Sequence, residues 1–258
     1  MKTALITGAS GGIGMELAKI HAKNGDNLIL VARNGEKLNE LAGELKDKYK
    51  ILIDVIVSDL SKNNAAKEVY LAVKQKNTEI DYLVNNAGFG DFSFLHESNW
   101  EKQEMMIDLN IKSLTHLTNL FLTDFVKRKS GKIMNIASIA AFLPCPMMAV
   151  YAATKHYVLA FSEAIANEVA DKGVTVTALC PGATKSGFQD AAEMNESGFM
   201  TNVKFATAES VAQYGYKSMM NGKRVAIPGF FNKFSSGIIR LTPRRLVSRI
   251  ARKMINKK

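Results

Sequence analysis

Apolar positions along this chain alternate between a strand-like and a helix-like period. Residues 3–7 form a short apolar run that ends in a glycine cluster. Ile13, Leu17 and Ile20 then recur at helical spacing within residues 13–24, and Gly25 stops the pattern. Residues 27–32 read as a buried strand, and residues 35–48 place Leu38, Leu41 and Leu45 on one helical face. A strand at 51–57 follows, then a helix capped by Ser61 and running to about Lys76, then a strand at 80–85. Residues 100–128 predict a helix pair or one bent helix. A strand at 132–137, a helix at 150–171 ended by Gly173, and a valine–threonine strand at 174–179 complete the series. Alternating strands and helices predict an α/β fold, a doubly wound parallel sheet with helices on both faces.

Composition narrows the class. At 258 residues, 47% hydrophobic and 22% charged, the chain is neither disordered nor fibrous. Two cysteines, Cys145 and Cys180, are too few for a disulfide scaffold and lack metal-ligand spacing, which fits a reducing, cytoplasmic setting with no metal. The apolar stretch at the start is too short for a signal peptide. Residues 133–154 carry no charge and are long enough to span a bilayer. Pro144 and Pro146 interrupt them, so they read as a buried strand and an apolar loop.

The formal net charge of +10 is unevenly placed. No acidic residue follows Glu209, whereas twelve basic ones lie from Lys217 onward. The rest of the chain holds 22 basic against 24 acidic residues and is nearly neutral. A positive C-terminus favours anionic partners such as a membrane surface.

Thr7-Gly8-Ala9-Ser10-Gly11-Gly12-Ile13-Gly14 links the first strand to the first helix. Glycines allow a tight turn and close backbone approach, and a helix N-terminus offers free amides to a pyrophosphate. The same stretch matches a nucleophile elbow at Ser10, but no histidine or acid pattern supports a hydrolase. The spacing T-G-x-x-x-G-x-G differs from G-x-G-x-x-G. Further along stand Asn85-Asn86-Ala87-Gly88, Asn110, Ser138, Tyr151-x-x-x-Lys155 and Pro181-Gly182. In this order the motifs resemble those of the short-chain dehydrogenase/reductase family over nearly the whole chain, and the resemblance implies a Rossmann-like fold.

The tip of the second strand bears on the cofactor. An acid there would hold the ribose 2′-OH of NAD. The strand ends Val31-Ala32-Arg33-Asn34, and the first acid is Glu36. Arg33 suits a 2′-phosphate, so NADP(H) is expected over NAD(H), with Ser10 and Asn34 adding neutral hydrogen bonds. Many NADP-preferring relatives carry a basic residue before the central glycine of the loop, where this chain has Gly11. The resemblance also implies that Gly8, Gly12, Ile13 and Gly14 cradle the pyrophosphate. It implies that Asp59 and Leu60 meet the adenine. Asn86, Ala87 and Gly88 would line the adenosine ribose and the centre of the sheet. Pro181, Gly182 and Thr184 would hold the nicotinamide amide.

Hydride exchange with a carbonyl or secondary alcohol needs a proton donor and acceptor at the oxygen. Tyr151 and Lys155 share a helix face at i and i+4, so the ammonium is expected to draw the phenol pKa toward neutrality. Lys155 would also reach the nicotinamide ribose, as in the family. Ser138, at a strand end, would polarise the substrate oxygen. Asn110 matches the family asparagine that holds a water in the proton relay. The alternative is a membrane-surface or partner-binding protein that uses NADP(H) as a structural or sensing ligand.

Residues 89–94, 140–148 and 184–205 are expected to form an apolar substrate pocket. They hold Phe89, Phe92, Phe94, Phe142, Leu143, Met147, Met148, Phe188, Met194, Phe199 and Met200. Residues 1–228 read as the catalytic domain and 229–258 as a basic extension. After Pro243, Leu246, Val247, Ile250, Ala251, Met254 and Ile255 fall on one helical side, with Arg245, Arg249, Arg252 and Lys253 opposite. That helix fits an anionic membrane, its own domain or a second subunit. Nucleic acid is not expected, because no aromatics interleave the charges. Family members commonly pair through long helices, here about 110–128 and 150–171, which implies a homodimer or homotetramer.

Overall fold

The computed structural model describes residues 1–188 and 205–255. Among the described residues, seven parallel strands form the central sheet. They are β1 (Thr3–Thr7), β2 (Asn27–Ala32), β3 (Ile53–Val57), β4 (Tyr82–Asn85), β5 (Gly131–Ile136), β6 (Val174–Leu179) and β9 (Val225–Ala226). Their spatial order is β3-β2-β1-β4-β5-β6-β9, so the winding reverses between β1 and β4. A two-stranded pair, β7 (Thr184–Lys185) with β8 (Ala206–Thr207), joins the segments flanking residues 189–204.

Both faces of the sheet are covered, which is why a strand such as β2 reads as a near-continuous apolar run. Ala4 and Ile6 of β1 face one core, together with α1 (Gly12–Lys23), α2 (Gly35–Tyr49) and α7 (Ala208–Met220). Leu5 faces the other, with α3 (Ala65–Gln75), α5 (Leu114–Arg128) and α6 (Ala149–Glu168). Phe121 and Phe125 are the largest side chains buried there, each contributing about 1.5–3 kcal/mol.

Most predicted elements stand within a few residues of their expected bounds. Ser61 does not cap α3. Its hydroxyl and amide bond Asp59 Oδ1, and Asn64, in a left-handed conformation, precedes the helix. The short Asp–Ser turn satisfies Ser61 locally, so the helix starts four residues later. Residues 100–128 form one interrupted helix: α4 (Trp100–Ile107), a π-helical turn (Asp108–Ser113) and α5.

The C-terminal chain forms α8 (Phe230–Leu241) and α9 (Arg244–Ile255). The expected apolar face of α9 is split. Val247 and Ala251 are buried against the domain, whereas Leu246 and Ile250 stay about half exposed. The Met254 and Ile255 side chains lie outside the described residues. Among the described residues, no helix is long and apolar enough to cross a membrane.

Candidate active site

The cleft opens at the carboxyl ends of β1 and β4, where the winding reverses. Gly8 adopts φ +65° and donates its amide to Val31 O at 2.8 Å. A Cβ at Gly8 would stand 2.8 Å from Asn86 Nδ2 and 2.9 Å from the Ala87 Cα, so no larger residue fits. Gly14 lies behind the cleft, where a Cβ would collide with Gly8 O and Asn86 Nδ2. Gly11, extended, leads into α1, whose first amides receive no side-chain cap and whose first turn holds no acid. Those amides and the helix dipole suit a pyrophosphate.

Thr7, which opens the glycine motif, is a positioning residue that the pattern of strands did not single out. Its Oγ1 donates to Val84 O at 3.3 Å and accepts from the amides of Asn86 (2.9 Å) and Ala87 (3.0 Å). Asn86 Nδ2 returns hydrogen bonds to Thr7 O and Gly8 O. The two loops that frame the cleft are therefore tied to each other. Behind them, Asn85 Nδ2 donates to Asn135 Oδ1 and Thr118 Oγ1, and Asn135 donates to Ser162.

Arg33 and Asn34 lie exposed at the rim beside Ser10. Asn34 Oδ1 is occupied as the cap of α2, accepting from Lys37 N at 2.9 Å, which leaves its amide NH2 as the group able to face a ligand. Asp59 and Leu60 line the same end of the cleft. Burial raises the Asp59 carboxyl, but hydrogen bonds from Ser61 and the nearby Arg33 and Lys62 charges outweigh it and hold the group below its ordinary value.

At the other end of the cleft stand Ser138, Tyr151 and Lys155, all buried. Ser138 follows β5, and its Oγ accepts from Ala140 N at 3.1 Å. Tyr151 and Lys155 project from one face of α6. Lys155 Nζ donates to Ile136 O at 2.8 Å. The expected lowering of the phenol pKa is not found. Burial pushes Tyr151 up to about 12, opposed by a hydrogen bond with Ser138. Burial also lowers Lys155 to about 8, so desolvation governs both groups.

Asn110 does not line the cleft. It sits on the π-helical turn, buried behind Lys155. Its Nδ2 donates to Phe89 O (3.0 Å) and Thr154 Oγ1 (3.1 Å), and its Oδ1 accepts from Phe89 N (3.3 Å). A Cβ on Gly88 would lie 2.8 Å from Asn110 Oδ1 and 3.5 Å from Lys155 Nζ. Pro181, Gly182 and Thr184 line the cleft after β6. Pro181 O accepts from Ile139 N, and Thr184 Oγ1 donates to Gly182 O.

The cleft encloses about 560 Å³, within the range of cofactor and ligand sites. Phe89, Phe92, Leu143, Met148 and Phe188 line it as expected, and Phe188 packs on Tyr151 with ring centroids 5.2 Å apart. Phe142 packs instead in the core beside Ala141 and Val158, and Phe94 is turned outward to solvent. Met147, at φ +62°, lies in a small neighbouring hollow. Met194, Phe199 and Met200 lie outside the described residues. Cys145, Phe205 and Ala251 also line the cleft. Nothing in the sequence signalled Ala251, since only the packing of α9 brings it there.

The family model for short chain dehydrogenase matches residues 2–197. A diacetyl reductase [(S)-acetoin forming] of Staphylococcus epidermidis is 36% identical over 191 residues, covering 73% of this chain and 74% of that protein. The inactive hydroxysteroid dehydrogenase-like protein 1 of Homo sapiens is 35% identical over 182 residues, covering 69% of this chain and 54% of that one. Among solved structures, a short-chain dehydrogenase from Sphingobium yanoikuyae in complex with NADPH superimposes with a TM-score of 0.83 at 28% identity, covering 95% of this chain and 97% of that one. Fold, motif order and sequence agree, and the chain belongs to the short-chain dehydrogenase family.

Proposed function

We propose that this protein is an NADP(H)-dependent oxidoreductase that interconverts a carbonyl and a secondary alcohol on an apolar substrate. The observation that carries this reading is the convergence of Ser138, Tyr151 and Lys155 in the same cleft as the glycine loop and α1. The glycine loop and the start of α1 would hold a nicotinamide dinucleotide, which would supply or accept the hydride when bound. With its pKa at about 12, the Tyr151 phenol holds its proton at neutral pH and serves as the acid for reduction. The Ser138 hydroxyl donates to the substrate oxygen and orients it. Lys155 holds positive charge beneath the phenol and reaches the ribose hydroxyls. Asn110 fixes the 86–89 loop to α6 and supports a water for the proton relay.

NADP(H) is favoured by Arg33, exposed at the rim where an acid would repel a 2′-phosphate. Cells keep NADPH reduced, so reduction is the working direction. Residues 1–228 act as the catalytic unit and 229–258 as an extension. Cys145 and Cys180 form no disulfide, which fits a cytoplasmic setting. The related inactive protein makes turnover the decisive measurement. Oxidation of NADPH is followed with a panel of diketones and bulky ketones, with Tyr151→Phe as control. Turnover lost in the control supports the reading, whereas tight NADPH binding with no turnover across the panel overturns it.

A further inference from the structure

Helix α8 is inside out. Phe230, Phe231 and Leu241 are 76%, 83% and 89% exposed, and Phe234 and Ile238 are also exposed. Positions 230, 234, 238 and 241 fall on one stripe of the helix. The aromatic rings form one cluster. Phe230 stacks on Phe234 at 6.2 Å and meets Phe231 edge-on at 6.0 Å. Among the described residues, the inward side holds Asn232, Ser236 and Ile239, two of them polar. Ser236 is buried, and Asn232 packs over Gly182 and donates to Pro228 O. A helix that turns serine and asparagine inward and phenylalanine outward is shaped for something outside the domain.

Charge identifies the partner. Lys233 on α8 and Arg244, Arg245, Arg249 and Arg252 on α9 are exposed, beside the half-exposed Leu246 and Ile250. No acidic residue follows Glu209. A second copy docked through this face would bring two uniformly positive segments together. An anionic lipid surface instead neutralises the cations and accepts the aromatic rings. At 12 residues, α8 is too short to span a bilayer but suits the interfacial plane.

We propose that the exposed stripe of α8, together with the exposed basic side chains of α8 and α9, docks this protein on an anionic bilayer surface. The docking face differs from the apolar side of α9, half of which the domain itself covers. It stands whether or not the cleft turns over a carbonyl.

The test is co-sedimentation of the full-length protein with vesicles of phosphatidylcholine alone and of phosphatidylcholine with an equal part of phosphatidylglycerol. The wild type is expected to sediment with the anionic vesicles only, and less so as salt is raised. The triple variant Phe230→Ser/Phe231→Ser/Phe234→Ser is expected to lose at least about tenfold in vesicle affinity, which is at least about 1.4 kcal/mol, while still binding NADPH. Should the triple variant misfold, Phe231→Trp in a Trp100→Phe background reads the same contact, its emission shifting to the blue on anionic vesicles. A wild type that stays in the supernatant with both vesicles, a folded triple variant that binds as well as the wild type, or a tryptophan at 231 that does not respond overturns the proposal. Loss of an oligomer in the triple variant, without vesicle binding by the wild type, also overturns it and assigns the face to a second copy.

Discussion

The Lys155 ammonium lies 5.7 Å from the centroid of the Tyr151 ring, one helical turn along α6, and donates to Ile136 O at the end of β5. The pair is thus held by the sheet as well as by the helix, inside a site dry enough that burial governs both titrations. A phenol kept protonated at neutral pH is poised to give its proton to a substrate oxygen. Tyr151→Phe removes that proton and little volume. We expect kcat to fall at least about a thousandfold, some 4 kcal/mol of transition-state stabilisation, with the NADPH dissociation constant nearly unchanged. Stopped-flow turnover together with fluorescence titration of NADPH checks this. Retention of more than about a tenth of wild-type kcat, a loss below 1.4 kcal/mol, would remove Tyr151 from the acid role.

The lysine carries a stability signature of its own. Its folded pKa of about 8 lies below the ordinary 10.5. Between these values the unfolded chain binds the proton more tightly than the folded one. The stability tied to this group is therefore fully present above 10.5, is lost as the pH falls through the window, and is flat below 8. Lys155→Met has no such linkage. The difference in unfolding free energy, wild type minus variant, should grow by roughly 3 kcal/mol from pH 8 to 10.5. Urea titrations without cofactor at several pH values measure it, and a pH-independent difference contradicts it.

Arg33 should set cofactor choice. The wild type is expected to bind NADPH at least about tenfold more tightly than NADH, or 1.4 kcal/mol. Arg33→Asp should reverse the order, because a carboxylate repels the 2′-phosphate and accepts from a 2′-OH. Equal dissociation constants in the wild type sink the assignment.

Thr7→Val tests the tie between the two loops. The valine keeps the volume but removes the acceptor of the Asn86 and Ala87 amides. Leaving partly buried donors unmatched costs up to about 1–3 kcal/mol, which lowers Tm by a few degrees. NADPH binding should weaken in step, because the same loops frame the cleft. Calorimetry with and without NADPH reads both, and an unchanged Tm rejects the tie.

Assembly is the remaining expectation. Tyr157 on α6 is exposed, stacks on Phe161 and shares a hydrogen bond with Thr115 on α5. The surface of α5 and α6 should pair with a second copy, giving a dimer or tetramer in light scattering. A particle of 28.3 kDa at micromolar concentration contradicts this.

Much of the candidate site is legible in the sequence, because its chemistry is written in short spacings. Gly8, Gly12 and Gly14 mark a strand-to-helix turn with close backbone approach. Tyr151 and Lys155 share a helix face by simple periodicity. The strands were legible where a sheet covered on both sides demands an unbroken apolar run, as at residues 28–32. Local competition explains the failure at Ser61, whose side chain found Asp59 two residues away instead of a helix amide.

Tertiary structure decided what depends on distance and burial. Periodicity places Lys155 beside Tyr151, but only the packed environment shows that burial dominates both groups and raises the phenol rather than lowering it. The asparagine spacing does not reveal that Asn110 sits behind the cleft, tying the 86–89 loop to α6 from a π-helical turn. The sequence predicts an amphipathic α9, yet the register of that helix on the domain determines that Val247 and Ala251 turn inward while Leu246 and Ile250 do not. The outward phenylalanines of α8 are the strongest case. Apolar residues at helical spacing read as core in any sequence, and only the neighbours a helix actually meets determine whether that face is buried or waiting for a partner.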